Sequence, residues 1–100
     1  MKTFEFEGKI WKYEGPAAWH FVNLPEQLSK DIKLNFQALS KKWGSIPVKI
    51  QTKNLTWESS IFPDTKLGCY LLPIKMAIRK KAKIKEGDRI QIKLQIDLTR

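Results

Sequence analysis

The sequence has one cysteine and one histidine in 100 residues, and that scarcity excludes much chemistry. A single thiol closes no internal disulfide. His20 and Cys69 stand 49 positions apart, and no CxxC or HxxxH spacing exists, so no metal site is expected. No glycine-rich phosphate loop is present and no cofactor is expected. The apolar runs are only a few residues long, too short to cross a membrane as a helix. The segment Met1 to Glu7 carries acids where a secretory leader needs an apolar stretch, so a soluble, cytoplasmic protein is expected. Linkers rich in serine or glycine are also missing, which leaves one domain over residues 1–100.

Acidic residues are in the minority. The chain has 19 Lys and Arg against 10 Asp and Glu, a formal charge of +9. Six of those positive charges fall in the acid-free span from Lys75 to Lys85: Lys75, Arg79, Lys80, Lys81, Lys83 and Lys85. Concentration of charge points to a patch that contacts an anion or a nucleic acid. The plainer alternative is a solvated turn at a barrel rim.

Hydrophobic residues are ordinary in amount, at 42%, and their spacing predicts mostly strands. Thr3 to Glu14 reads as a strand in which Phe4, Phe6 and Ile10 share one parity and Trp11 and Tyr13 the other. Gly8 between them suggests a bulge that changes the face. Trp19 to Leu24 is a second strand, halted by Pro25. Leu28, Ile32, Phe36 and Leu39 then recur at helical spacing, which predicts a helix from Glu26 to Leu34 or on to Leu39. After a Trp43-Gly44 turn, Ile46, Val48, Ile50 and Thr52 alternate as a strand. Lys53-Asn54 is a hairpin turn into a strand through Trp57 to Phe62, and Pro63 to Gly68 is a loop. Cys69 to Ile74 is an apolar strand, Lys75 to Lys81 one or two helical turns, and Gly87 a turn residue with positive φ. Ile90, Ile92, Leu94, Ile96 and Leu98 alternate strictly and make the clearest strand. So few helices cannot cover both faces of a parallel sheet. The expected fold is mainly β, a small closed antiparallel barrel with one or two short helices.

Two segments share a plan. Leu24-Pro25 and Leu72-Pro73, 48 positions apart, each end a strand, lead into a short helix and precede an alternating strand. The plan suggests two similar half-barrels in one chain.

Catalytic groups are not arranged in any recognisable pattern. Cys69 begins an apolar strand, where a free cysteine usually packs as a small core residue. His20 lies between Trp19 and Phe21 and faces away from them. Glu86 and Asp88 flank Gly87 in a turn, and Glu5 and Glu7 face water from one strand. Asn54-Leu55-Thr56 fits a glycosylation sequon but reads as a hairpin turn. The aromatic residues carry more. Four tryptophans, Trp11, Trp19, Trp43 and Trp57, either fill the barrel or, beside Lys and Arg, offer a stacking platform for bases or sugars.

An ordered set of segments resembles the bacterial domain-of-unknown-function family 1905. They are Trp19 to Pro25, Ile46-Pro47-Val48 with Ile50, Ser60 to Pro63, Gly68 to Lys75, Ile78-Arg79-Lys80, Ile84, and Gly87 to Ile90. The resemblance implies a double-split β-barrel, the type shared with AbrB-type transition regulators and MazE-type antitoxins. Leu72 to Lys75, Ile78-Arg79 and Ile84 to Ile90 are similar to the half-barrel signature of those regulators. The family has no established activity, so the resemblance supplies a fold without a mechanism. Some relatives carry a further C-terminal domain associated with bacteriocin protection, and none is expected here because the chain ends at Arg100.

The expected function is that of a noncatalytic accessory or protein-interaction module, monomeric, with an unknown partner. A nucleic-acid-binding module using the basic residues 75–85 is the alternative. A small-ligand binder with a pocket near Trp19 and His20 is the second.

Overall fold

Phe4, Phe6, Gly8 and Ile10 alternate with exposed Glu5, Glu7 and Lys9 along β1 (Lys2–Lys12), the first strand of a computed structural model that describes residues 2–41 and 44–96. β2 (His20–Asn23), α1 (Glu26–Phe36), a 3-10 turn (Gln37–Leu39) and β3 (Ile46–Thr52) complete the first half. β4 (Leu55–Asp64), β5 (Cys69–Pro73), α2 (Met76–Ala82) and β6 (Arg89–Ile96) complete the second. The six strands close into an antiparallel barrel in the order β1-β2-β5-β4-β3-β6. The fold is the expected mainly-β closed antiparallel barrel, and of the one or two short helices expected it has two. Trp43, Asp97 and Leu98, placed in a turn and in the last strand by their sequence, lie outside the described residues.

The two long strands hold the barrel together by changing neighbours. β1 pairs with β6 from Lys2 to Lys9 and with β2 from Ile10 to Lys12. β4 pairs with β3 from Leu55 to Ile61 and with β5 from Phe62 to Asp64. The halves therefore correspond, as the Leu-Pro repeat suggested. Asn23 of β2 lies opposite Leu71 of β5, and Ile50 of β3 opposite Leu94 of β6, so each central ladder pairs equivalent residues. Trp11 faces Phe21 in the first half, and Asp64 faces Cys69 in the second.

Two expectations are corrected. The face of β1 does not change at Gly8: Phe6, Gly8 and Ile10 all point inward, and Trp11 is on the outer face. Gly8 instead leaves room for Val22, whose Cγ1 occupies the place a Cβ would take. The second correction is Pro63, which belongs to β4 rather than to a loop and pairs with Tyr70. It sits after β4 has parted from β3, where one side of the strand has no ladder and a missing N–H breaks no bond.

The barrel interior is filled by branched aliphatic side chains. Ile10, Val22, Ile50, Leu72, Ile92 and Leu94 are completely buried. Burying each such side chain contributes about 1.5–3 kcal/mol. The helices cover the barrel ends. α1 inserts Ile32 and Phe36, with Phe36 edge-on to Phe4 at 6.1 Å. Buried Ser29 docks the same helix, its Oγ accepting the Tyr70 N–H at 3.0 Å. α2 buries Ala82, whose carbonyl oxygen accepts a hydrogen bond from Lys53 Nζ at 2.8 Å. No helix among the described residues is long and apolar enough to cross a membrane.

Candidate functional site

The period-2 pattern of β2 sends Val22 into the core and leaves Phe21 outside, against the outward residues of β1. Phe21 is the centre of an aromatic cluster on the barrel exterior. Trp11 packs on it at 5.4 Å, Tyr13 meets it edge-on at 6.4 Å, and Trp19 stacks on it at 6.0 Å with the rings 6° from parallel. Asn23 fixes Trp11, accepting the indole N–H at 2.7 Å. Trp19 is covered on one face by Phe21 and remains 53% exposed.

Trp19 stands between two shallow depressions. One, of about 220 Å³, is lined by Trp19, His20 and Pro73 with Lys75, Met76 and Arg79 of the α2 start. The other, of about 440 Å³, is lined by Trp19, Pro73 and Lys75 with Phe62, Glu58 and Ser59 of β4. Trp19, Pro73 and Lys75 border both, so the two depressions adjoin at these residues and together make up the groove around Trp19. Six large hydrophobic residues are exposed among those described, and Tyr13, Trp19, Phe62 and Met76 are four of them. All four belong to this cluster or line this groove.

The fold itself does not require that cluster, because the other half of the barrel lacks it. Cys69 occupies the place of Phe21, and Asp64 that of Trp11. The residues two positions away that correspond to Trp19 and Tyr13 are Leu67 and Lys66. A closed barrel thus forms around one half with four aromatic residues at these places and one half with none.

The basic segment divides. Lys75 and Arg79 reach the groove one helical turn apart. Arg79 also donates from Nη1 to the Ile74 carbonyl at 2.6 Å, which holds the guanidinium against the N-terminal end of α2. Lys80 and Lys81 are exposed in the last turn of α2, where positive charge complements the helix dipole. Lys83 ends that helix in a left-handed conformation, with φ of 57°. Lys85 is exposed in the following turn, where its backbone N–H donates to Asp88 Oδ2 at 2.9 Å. Lys80, Lys81, Lys83 and Lys85 line neither depression.

His20 does not alternate cleanly with Trp19. Both side chains line the groove, and the chain enters this segment through Ala18, whose φ is 50°. The His20 Nδ1 lies 2.9 Å from the Ala18 carbonyl oxygen, which accepts its proton in a hydrogen bond. His20 and Cys69 do not meet. β5 separates them: the Ile74 N–H bonds to the His20 carbonyl at one end, and Cys69 pairs with Asp64 at the other. Five strand residues span about 16 Å. Burial, Asp64 and Glu26, in that order, push the Cys69 thiol above its ordinary range, the reverse of what a nucleophile needs. No group of three metal-ligating side chains exists among the described residues.

Sequence reasoning singled out Trp19, Lys75 and Arg79 separately but missed Phe62, Pro73 and Met76. Their signal is the juxtaposition of β2, β4 and α2 around β5, which only barrel closure creates.

No curated protein matches the chain. Residues 6–94 match the family described as a domain of unknown function, DUF1905, and the chain belongs to that family.

Proposed function

We propose that the domain is a noncatalytic binding module whose recognition face is the groove around Trp19. The observation that supports this most is the asymmetry between the halves: the same framework is built twice, and only the first half carries the Trp11, Tyr13, Trp19 and Phe21 cluster, which adjoins Lys75 and Arg79 of the second. Exposed apolar side chains gathered in one place, with a basic border, suit a contact surface. Lys75 and Arg79 favour an anionic partner over a neutral one. A shallow groove without an activated nucleophile or paired acid and base gives little footing for catalysis.

Amide and indole chemical-shift mapping tests the assignment of the face. The labelled domain is titrated in turn with a polyglutamate peptide, single-stranded oligonucleotides and a mononucleotide. The expected result is that a binding probe moves the Trp19 indole, His20 and Lys75 resonances. Shifts confined to the α1 end of the barrel, or no shift with any probe, overturn the proposal.

A further inference from the structure

We infer that the groove around Trp19 binds single-stranded nucleic acid, one base stacking on the indole and the adjoining phosphate meeting Lys75. This rests on the binding-module reading above and names its ligand class. Three features lead to it.

The first is the geometry of Trp19. Its ring lies nearly parallel on Phe21, 6.0 Å away, and Phe21 is held in turn by Trp11 and Tyr13. A ring buttressed from beneath loses little freedom when a second flat ring is laid on its open side. Stacking of this kind tolerates any base, since every base has a π-face.

The second is the placement of charge. Lys75 borders both depressions, and Arg79 lies one helical turn further along the first. The Lys75 ammonium and the Arg79 guanidinium, which line the depressions with Trp19, are thus placed to meet phosphates of a backbone leaving a stacked base. Among the described residues Glu58 is the one carboxylate that lines the groove, and it lies in the depression away from Arg79. Phe62 offers a second ring in that same depression for a neighbouring base.

The third is the closure of the barrel. The strands close in the order β1-β2-β5-β4-β3-β6, and β2, the strand that follows Trp19, is paired with β1 on one side and β5 on the other, so a peptide cannot extend it by adding its backbone. A peptide laid along β2 would depend on its side chains alone, whereas a nucleic-acid strand presents flat rings and charges at regular intervals. A duplex hides its base faces within its own stack and could not use Trp19.

Fluorescence anisotropy on the full chain tests the inference with labelled ten-nucleotide oligo-dT and oligo-U and with a duplex of equal length. Titrations run from low to physiological salt. Both single strands are expected to bind at least tenfold more tightly than the duplex. Trp19→Ala is expected to weaken single-strand binding by roughly five- to hundredfold, the range of one lost base stack, and Trp19→Phe by less. Lys75→Ala should weaken binding and lower the salt slope by about one counterion. The paired change Lys80→Ala and Lys81→Ala, outside the groove, should cost less than Lys75→Ala. Trp19 is exposed, and unchanged far-ultraviolet dichroism and melting temperature check that its variants keep the fold. Absence of binding at low salt, equal affinity for the duplex, or indifference to Trp19→Ala overturns the inference. Polyglutamate moving the Trp19 resonances while both oligonucleotides leave them unchanged overturns it too, and leaves the binding-module reading standing.

Discussion

Val22 Cγ1 fills the space that a side chain on Gly8 would need. Both residues belong to the place where β1 leaves β6 and joins β2, and Val22 is completely buried there. The close approach of the two strands therefore depends on the missing Cβ rather than on any unusual backbone angle.

Gly8→Ala is expected to destabilise the domain by about 1–3 kcal/mol, the usual range for overpacking a dense core. Urea denaturation measures it as a lowered midpoint with an unchanged slope. Val22→Ala alone leaves a cavity and is also destabilising. In the double variant the new methyl occupies the vacated space, so the two losses should fall short of additive by more than about 0.5 kcal/mol. Strict additivity would show that the strands accommodate the methyl by moving apart.

The same region shows what the sequence could and could not convey. The inward parity of Phe4, Phe6 and Ile10 was legible because a period of two needs only neighbours. Trp11 and Tyr13 disguised it, since large apolar residues on the outer parity imitate a change of face. Arg89–Ile96 was legible for the opposite reason, its outer positions being polar throughout. Leu24-Pro25 and Leu72-Pro73 revealed the duplication because both mark the end of a short central strand. Pro63 misled, because a proline ordinarily ends a strand and nothing local reveals that β4 has already lost one neighbour. The groove was least legible. Phe62 and Trp19 lie 43 positions apart and meet only because β5 brings β4 and β2 to its two sides. The basic run spans a seven-residue helix and its turn, and Lys75 and Arg79 are the members of it that line the groove.

Lys83 carries a cost that glycine would remove. Its φ of 57° places it in the left-handed region at the end of α2. There its N–H bonds to the Lys80 carbonyl at 3.3 Å, and the Ile84 N–H bonds to that of Arg79 at 3.0 Å. This pair of bonds is the Schellman ending, which favours glycine because a Cβ crowds the carbonyl. Lys83→Gly is expected to stabilise the domain by about 0.5–1 kcal/mol, after allowing for the greater freedom of glycine in the unfolded chain. Lys83→Val should destabilise, as a β-branched residue tolerates positive φ least. Thermal midpoints ordered Gly, Lys, Val confirm the argument. Since Lys83 lies outside the groove, affinity for single strands should change only through the lost charge.

Cys69 gives the fold a dependence on alkaline pH. Burial, Asp64 and Glu26 raise its pKa in the native state, and burial does the same to the Tyr70 hydroxyl. Unfolding removes these influences, so the unfolded chain releases both protons at lower pH than the native one. The native state then holds more protons over that interval, and stability falls as pH rises. The contribution is complete below the ordinary thiol range and is lost as pH climbs through the raised native values of Cys69 and Tyr70. Iodoacetamide alkylation reads the thiol directly: at pH 7.5 the native protein should react more slowly than the urea-unfolded chain, with its rate midpoint displaced to higher pH. Asp64→Asn should bring that midpoint part of the way back, because burial, the larger cause, is left in place. A native rate equal to the unfolded rate would mean that the thiol is neither desolvated nor opposed by the two carboxylates.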